Sequence, residues 1–228
     1  MVHGAIYDAV NAISGTPYEP YLTAPAARRG DSVDAAVAAA AYRVLISLFP
    51  AQAASLDQMY ASALAAVPGG RSKTGGIATG SRAASAMIAA RTGDGVFADA
   101  TWNASTAPGQ WRPTPPAFVS DGAWVGDLKP FVIRRGDQFR TAGPPALTSA
   151  AYARDLNVVK AVGGVTSTVR TADQTQSAIW WHDRRLTEWE IERQVADRHG
   201  LNPLQAARFF AIAEIANADS LIACFNEK

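Results

Sequence analysis

The stretch that decides the fold is 203-PLQAARFFAIAEIANADSLIACFNEK-228. Asn202-Pro203 starts it as a helix, with Pro203 at the first helical position, where a missing N–H is harmless. Leu204, Phe209, Phe210, Ile212, Ile215, Leu221, Ile222 and Phe225 leave almost no face polar. That pattern predicts a helix enclosed in the middle of a bundle. At 100° per residue, Arg208 and Asp219 share a face with Ile212 and Ile215. Glu214, Asn217, Leu221, Cys224 and Lys228 form another row. Buried charges are usually paired, so Arg208 and Asp219 should each find a structural partner on another helix.

The rest of the chain repeats the helical signal. Alanine, the strongest helix former, makes up about a fifth of the residues, and composition alone leans all-α. Apolar spacing predicts helices over 1–13, 31–49, 51–67, 74–91, 148–162, 171–182 and 187–199. Asp31 or Ser32, Thr148, Thr171 and Thr187 read as N-caps, and Pro50, Gly163-Gly164 and Gly200 as stops. Short loops join the helices over 31–49, 51–67 and 74–91, so these should pack as antiparallel neighbours. Residues 92–147 differ. They hold Trp102, Trp111 and Trp124 among many prolines and lack helical periodicity. This predicts a long irregular excursion held by its aromatics, with Phe131–Ile133 as a short strand. The expected fold is an all-α bundle, a single helical domain over 1–228 interrupted at about 92–147.

Several function classes drop out. A net charge of +1 removes the electrostatic case for nucleic acid. A single cysteine, Cys224, excludes an internal disulfide framework, and in its apolar helix it reads as a small core residue. His3, His182 and His199 are too scattered for an obvious metal site. His182 (with Asp183 beside it) and His199 read as packed or surface residues at helix ends. No apolar run reaches the roughly 18 residues of a membrane span. The start lacks the basic and apolar regions of a signal peptide, so localisation stays open, and export would need a signal upstream of Met1. Gly69-Gly70-Arg71-Ser72-Lys73-Thr74 lacks the glycine a phosphate loop needs before its lysine. Asp94 and Asp99 do not match a calcium loop and read as a solvated turn.

Taken together, several segments resemble the vanadium-dependent haloperoxidases, whose superfamily includes the type 2 phosphatidic acid phosphatases and bacterial acid phosphatases. The run from Ala207-Arg208-Phe209-Phe210 through Ala218-Asp219-Ser220 to Phe225-Asn226-Glu227-Lys228 resembles the helix leading into that family's active site. Ala5-Ile6-Tyr7-Asp8-Ala9-Val10-Asn11 resembles its first helix, and Gly109–Pro116 its proline-rich loop. Pro130-Phe131, Gly136–Arg140, Pro144–Ser149 and Arg170–Thr175 continue the match. The family's chemistry depends on K-x6-R-P, P-S-G-H and S-R-x6-H motifs, an oxyanion cage of fixed positive donors.

The resemblance implies that Lys228 is the lysine opening the first motif and would bind vanadate or phosphate. It also implies that Phe225 lies near the halide. The remaining motifs are missing, so no catalytic set is complete in this chain. The expectation is therefore the N-terminal scaffold of a peroxide-dependent halide-oxidising enzyme, inactive alone, with vanadate as the parent's cofactor. Its partner would be the C-terminal half of the same protein, with a homo-oligomer also open. A phosphatase of the same superfamily and a stand-alone helical interaction module are the competing readings.

Overall fold

A computed structural model describes residues 1–182 and 184–228, without the side chains of 184–186. The fold is all-α. Among the described residues there are eight α-helices and no strand: α1 (Val2–Ile13), α2 (Val33–Leu48), α3 (Ala53–Ala65), α4 (Arg71–Ala90), α5 (Ala150–Val162), α6 (Ala172–His182), α7 (Arg184–Arg198) and α8 (Pro203–Glu227). Their ends follow local hydrogen-bond chemistry. Ser32 caps α2 by accepting from the Ala35 amide at 3.2 Å. Asp31 instead accepts from the Arg28 amide in the preceding turn. Thr171 and Gln174 satisfy each other's backbone amides at the start of α6. Asn202 and Gln205 do the same for α8.

Two predicted caps move. Ser149, not Thr148, caps α5 by accepting from the Tyr152 amide. Thr187 lies inside α7, because the helix begins at Arg184. The expected strand at Phe131–Ile133 is a bend. Its three amides go to one carboxylate rather than to a neighbouring strand.

Small residues set the packing of the first helices. A Cβ on Gly76 would lie 2.2 Å from the Ser32 carbonyl oxygen, and one on Gly80 would lie 2.2 Å from that of Ala36. Residue numbers rise together along this contact, so α2 and α4 run parallel. That is the relation expected of the first and third of three helices joined by antiparallel turns. The chain turns by 119° at Pro50, and α3 packs on α2 while carrying the chain back for a second pass. Helix α1 lies across both, with Ala5, Ile6 and Val10 meeting Ala40, Val44, Ala84 and Met87. Gly4 lies against Met87, near the end of α4, whereas Ile13 meets Ala36 and Ala83, so α1 runs opposite to the pair.

Helix α8 departs most from its sequence pattern. Only Ala207, Ala211, Asp219 and Ile222 are buried, and Ile212 is 55% exposed. Its first half packs on α1, bringing Phe210 to the His3 ring. Its last turns run onto a 3-10 turn at Ala123–Asp127, where Gly126 allows backbone contact with Asn226. The helix therefore forms an edge, not a centre. By length and composition it is the only single helix among the described residues that is apolar enough to cross a membrane. A core helix of a water-soluble protein meets the same criterion, and α8 carries Arg208, Glu214 and Asp219 along its length.

The excursion is pinned by buried charge. Arg91, at the end of α4, pairs with Asp94 at 2.7 Å, with both side chains at most 5% exposed. Arg91 also donates to the Lys129 and Pro130 carbonyls at 2.5 and 3.1 Å and lies over the Phe131 ring. The solvated turn expected around Asp94 is thus a buried ion pair. The cause is the return of residues 129–131 over the end of α4.

Candidate functional site

The site is built on two aspartates that the structure uses alike. Asp8 on α1 is 1% exposed and accepts from the consecutive amides of Tyr21, Leu22 and Thr23 at 2.7, 2.9 and 3.0 Å. Asp219 on α8 is 5% exposed and accepts from those of Phe131, Val132 and Ile133 at 2.6, 2.7 and 2.9 Å. Each carboxylate fixes a bent loop segment against its helix and satisfies three donors that no secondary structure would satisfy. Burial pushes the Asp8 carboxyl upward, and the same three amides pull it back. Asn11 adds a two-way bond with the Tyr18 backbone, and the Tyr7 hydroxyl donates to the Glu19 carbonyl at 2.6 Å. The Tyr21 hydroxyl donates to the Phe131 carbonyl at 3.0 Å, joining the two segments.

Between these walls, α1 and α8 enclose an open cleft of about 840 Å³. Tyr7, Tyr21, Val132 and Ile133 line one side, and Arg208, Ala211, Ile212 and Ile215 the other. Arg208 lies over the Tyr18 ring at 4.7 Å. Burial raises the Tyr7 hydroxyl, and the nearby Arg208 guanidinium opposes that shift. Thus Arg208 meets an aromatic partner from a loop, and Asp219 meets backbone. Arg208 also reaches the Tyr7 hydroxyl on α1, the partner on another helix that the sequence predicted, whereas Asp219 is satisfied by loop amides instead. Bent loop segments supply what a helix face does not, because their amides are free to converge on a carboxylate.

Lys228 and Phe225 lie together at the far end of α8. The Lys228 ammonium sits 4.2 Å above the Phe225 ring, and Phe225 tilts against Trp102. Arg140 reaches the same turn but donates to the Asn226 carbonyl and side chain. Glu227 accepts from Thr141. One exposed ammonium beside a committed guanidinium does not make an oxyanion cage, and no histidine stands there. The residues present do not fit vanadate. His3 packs on Phe210, while His182 and His199 close α6 and α7. Asp183 lies outside the described residues. Cys224 is exposed, contrary to its expected core position, because the second half of α8 is covered on one side only.

A third cluster joins α7 and α8. Asn217 donates to Glu188 at 3.3 Å. Burial, reinforced by Glu214 and Glu188 and opposed by Arg193, raises the Glu192 carboxyl to about 7. Burial lowers the His3 imidazole, and Glu214 works against that. Among the described residues, no group of three or more His, Cys, Asp and Glu side chains is placed to hold a metal ion.

Sequence reasoning missed Asp8 and Tyr21 as builders of the site. The signal available was Asp8 and Asn11 standing within an otherwise apolar helix, where buried polar groups demand partners. No family model, no curated protein and no solved structure matches this chain.

Proposed function

We propose that this chain is the helical scaffold of a vanadium-dependent haloperoxidase-like enzyme, inactive by itself, whose anion-handling groups come from further sequence. The observation that carries this reading is convergence. The segments resembling the family's first helix, the stretch around Pro130–Arg140 and its active-site helix lie together around one cleft and one helix end, although far apart in sequence. Lys228 and Phe225, to which the resemblance assigns the oxyanion and the halide side, lie at the last turn of α8 with the ammonium 4.2 Å above the ring.

A second feature supports an absent partner. Val158, Val159, Ile179, Trp180 and Trp181 on α5 and α6 are each at least 52% exposed, large apolar side chains left for another polypeptide to cover. The C-terminal half of the same protein is the occupant this reading assigns to it.

The test compares two reactions in the product of the complete reading frame. Vanadate- and peroxide-dependent bromide or chloride oxidation is expected. Phosphomonoester hydrolysis without halide oxidation would move the assignment to the phosphatases. Absence of both would leave a helical interaction module. For the 228-residue chain alone, titration calorimetry should show no stoichiometric vanadate binding. Tight binding would overturn the scaffold reading.

A further inference from the structure

We propose that the cleft between α1 and α8 binds a small apolar molecule carrying one anionic group. Its body would lie along Ile212 and Ile215 and its anion at Arg208. This inference requires no enzyme activity, and the lysine that the proposed function assigns to the oxyanion lies at the other end of α8.

Shape comes first. A volume of about 840 Å³ falls within the range of small-molecule sites, and the walls are aliphatic and aromatic with few polar groups. The walls are also built in advance. Asp8 holds residues 21–23 and Asp219 holds residues 131–133, and the Tyr21–Phe131 bond ties one wall to the other. A cleft held by seven such hydrogen bonds does not need a ligand to form it, which lowers the ordering cost of binding.

Charge decides the class. Among the described residues, no carboxylate lies within ion-pair distance of Arg208. It is stacked on Tyr18 and hydrogen-bonded to the Tyr7 hydroxyl, an arrangement that positions a guanidinium while leaving its other in-plane N–H groups for an oxyanion. The acids in the lining do not compete equally. Both oxygens of Asp219 are used by backbone amides. Glu19 is exposed and not paired with Arg208. A fatty-acid or aryl-carboxylate type of molecule matches this layout, with one cation at the edge of an apolar trough.

The test uses two fluorescent probes of like body: anionic 1-anilinonaphthalene-8-sulfonate and neutral N-phenyl-1-naphthylamine. The full chain should bind the anionic probe at one site from which laurate displaces it. Arg208→Gln should weaken the anionic probe and laurate by roughly five- to tenfold and leave the neutral probe within about twofold. Ile212→Asp should abolish both, with Ile212→Ser standing in should the aspartate prevent folding. Circular dichroism melts confirm that each variant is folded.

Equal binding of the anionic probe by Arg208→Gln would overturn the proposal. So would binding that survives both Ile212 variants, which would place the probes on the α5–α6 surface. A dimer in sedimentation that Ile212→Asp dissociates would overturn it too, by making a second copy the occupant.

Discussion

Replacing Asp219 by alanine removes one carboxylate and strands three backbone donors at once. The amides of Phe131, Val132 and Ile133 reach Asp219 at 2.6, 2.7 and 2.9 Å, and the acid is 5% exposed. A hydrogen bond to a charged group contributes about 1.5–3 kcal/mol. The lower figure applies here, because the Val132 side chain is 69% exposed and water can reach the bend once it loosens. Three such bonds put the cost of Asp219→Ala at about 4.5 kcal/mol, a large part of the 5–15 kcal/mol a domain of this kind holds. Asp219→Asn keeps one acceptor oxygen but turns an NH2 toward an amide donor, and should cost about half as much. Urea denaturation measures both. Amide hydrogen exchange at residues 131–133 locates the effect and should quicken in both variants. An alanine variant within about 1 kcal/mol of the parent, with unchanged exchange there, would refute the claim that this carboxylate holds the excursion on α8.

Three further outcomes follow from the same geometry. Gly80→Ala should destabilise by roughly 2–3 kcal/mol in thermal melts, despite alanine's better helix propensity, because its Cβ would meet the Ala36 carbonyl oxygen at 2.2 Å. Arg91→Met should cost about 3–5 kcal/mol by leaving Asp94 buried and unpaired, and Arg91→Met with Asp94→Leu should cost less than the sum of the singles. Glu192, raised to about 7, binds its proton more tightly folded than unfolded. Its contribution is present below the unfolded value near 4.5 and is lost as pH rises through 7. Glu192→Gln should therefore flatten the stability profile between pH 4.5 and 7 and gain stability at pH 8. With the group largely solvated, that gain should be about 1 kcal/mol or less.

Helix positions were legible because their causes are local. Ser32, Thr171 and Asn202 each satisfy an amide within the next turn, so the capping residue can be read beside the helix it starts. The errors sit where two candidates adjoin or compete, as at Thr148 and Ser149, or where a helix starts before its apparent cap, as at Thr187. The candidate site was legible only in part. Arg208, Asp219, Phe225 and Lys228 stood out within one helix, but the segments that complete the cleft lie elsewhere in the chain.

By itself, the amino-acid sequence determined that this protein is helical, where its helices start and stop to within about three residues, and that residues 92–147 break the pattern. Those properties depend on periodicity, propensity and capping over a few residues. Tertiary structure alone decided that α2 and α4 meet closely through Gly76 and Gly80, that Asp94 is buried against Arg91, and that α8 lies at an edge with its apolar face open. It also joined Asp219 to an amide 88 residues away. The physical reason is that an apolar or acidic side chain specifies a need for burial or for donors, while the choice of which distant segment meets that need belongs to the packing of the whole chain.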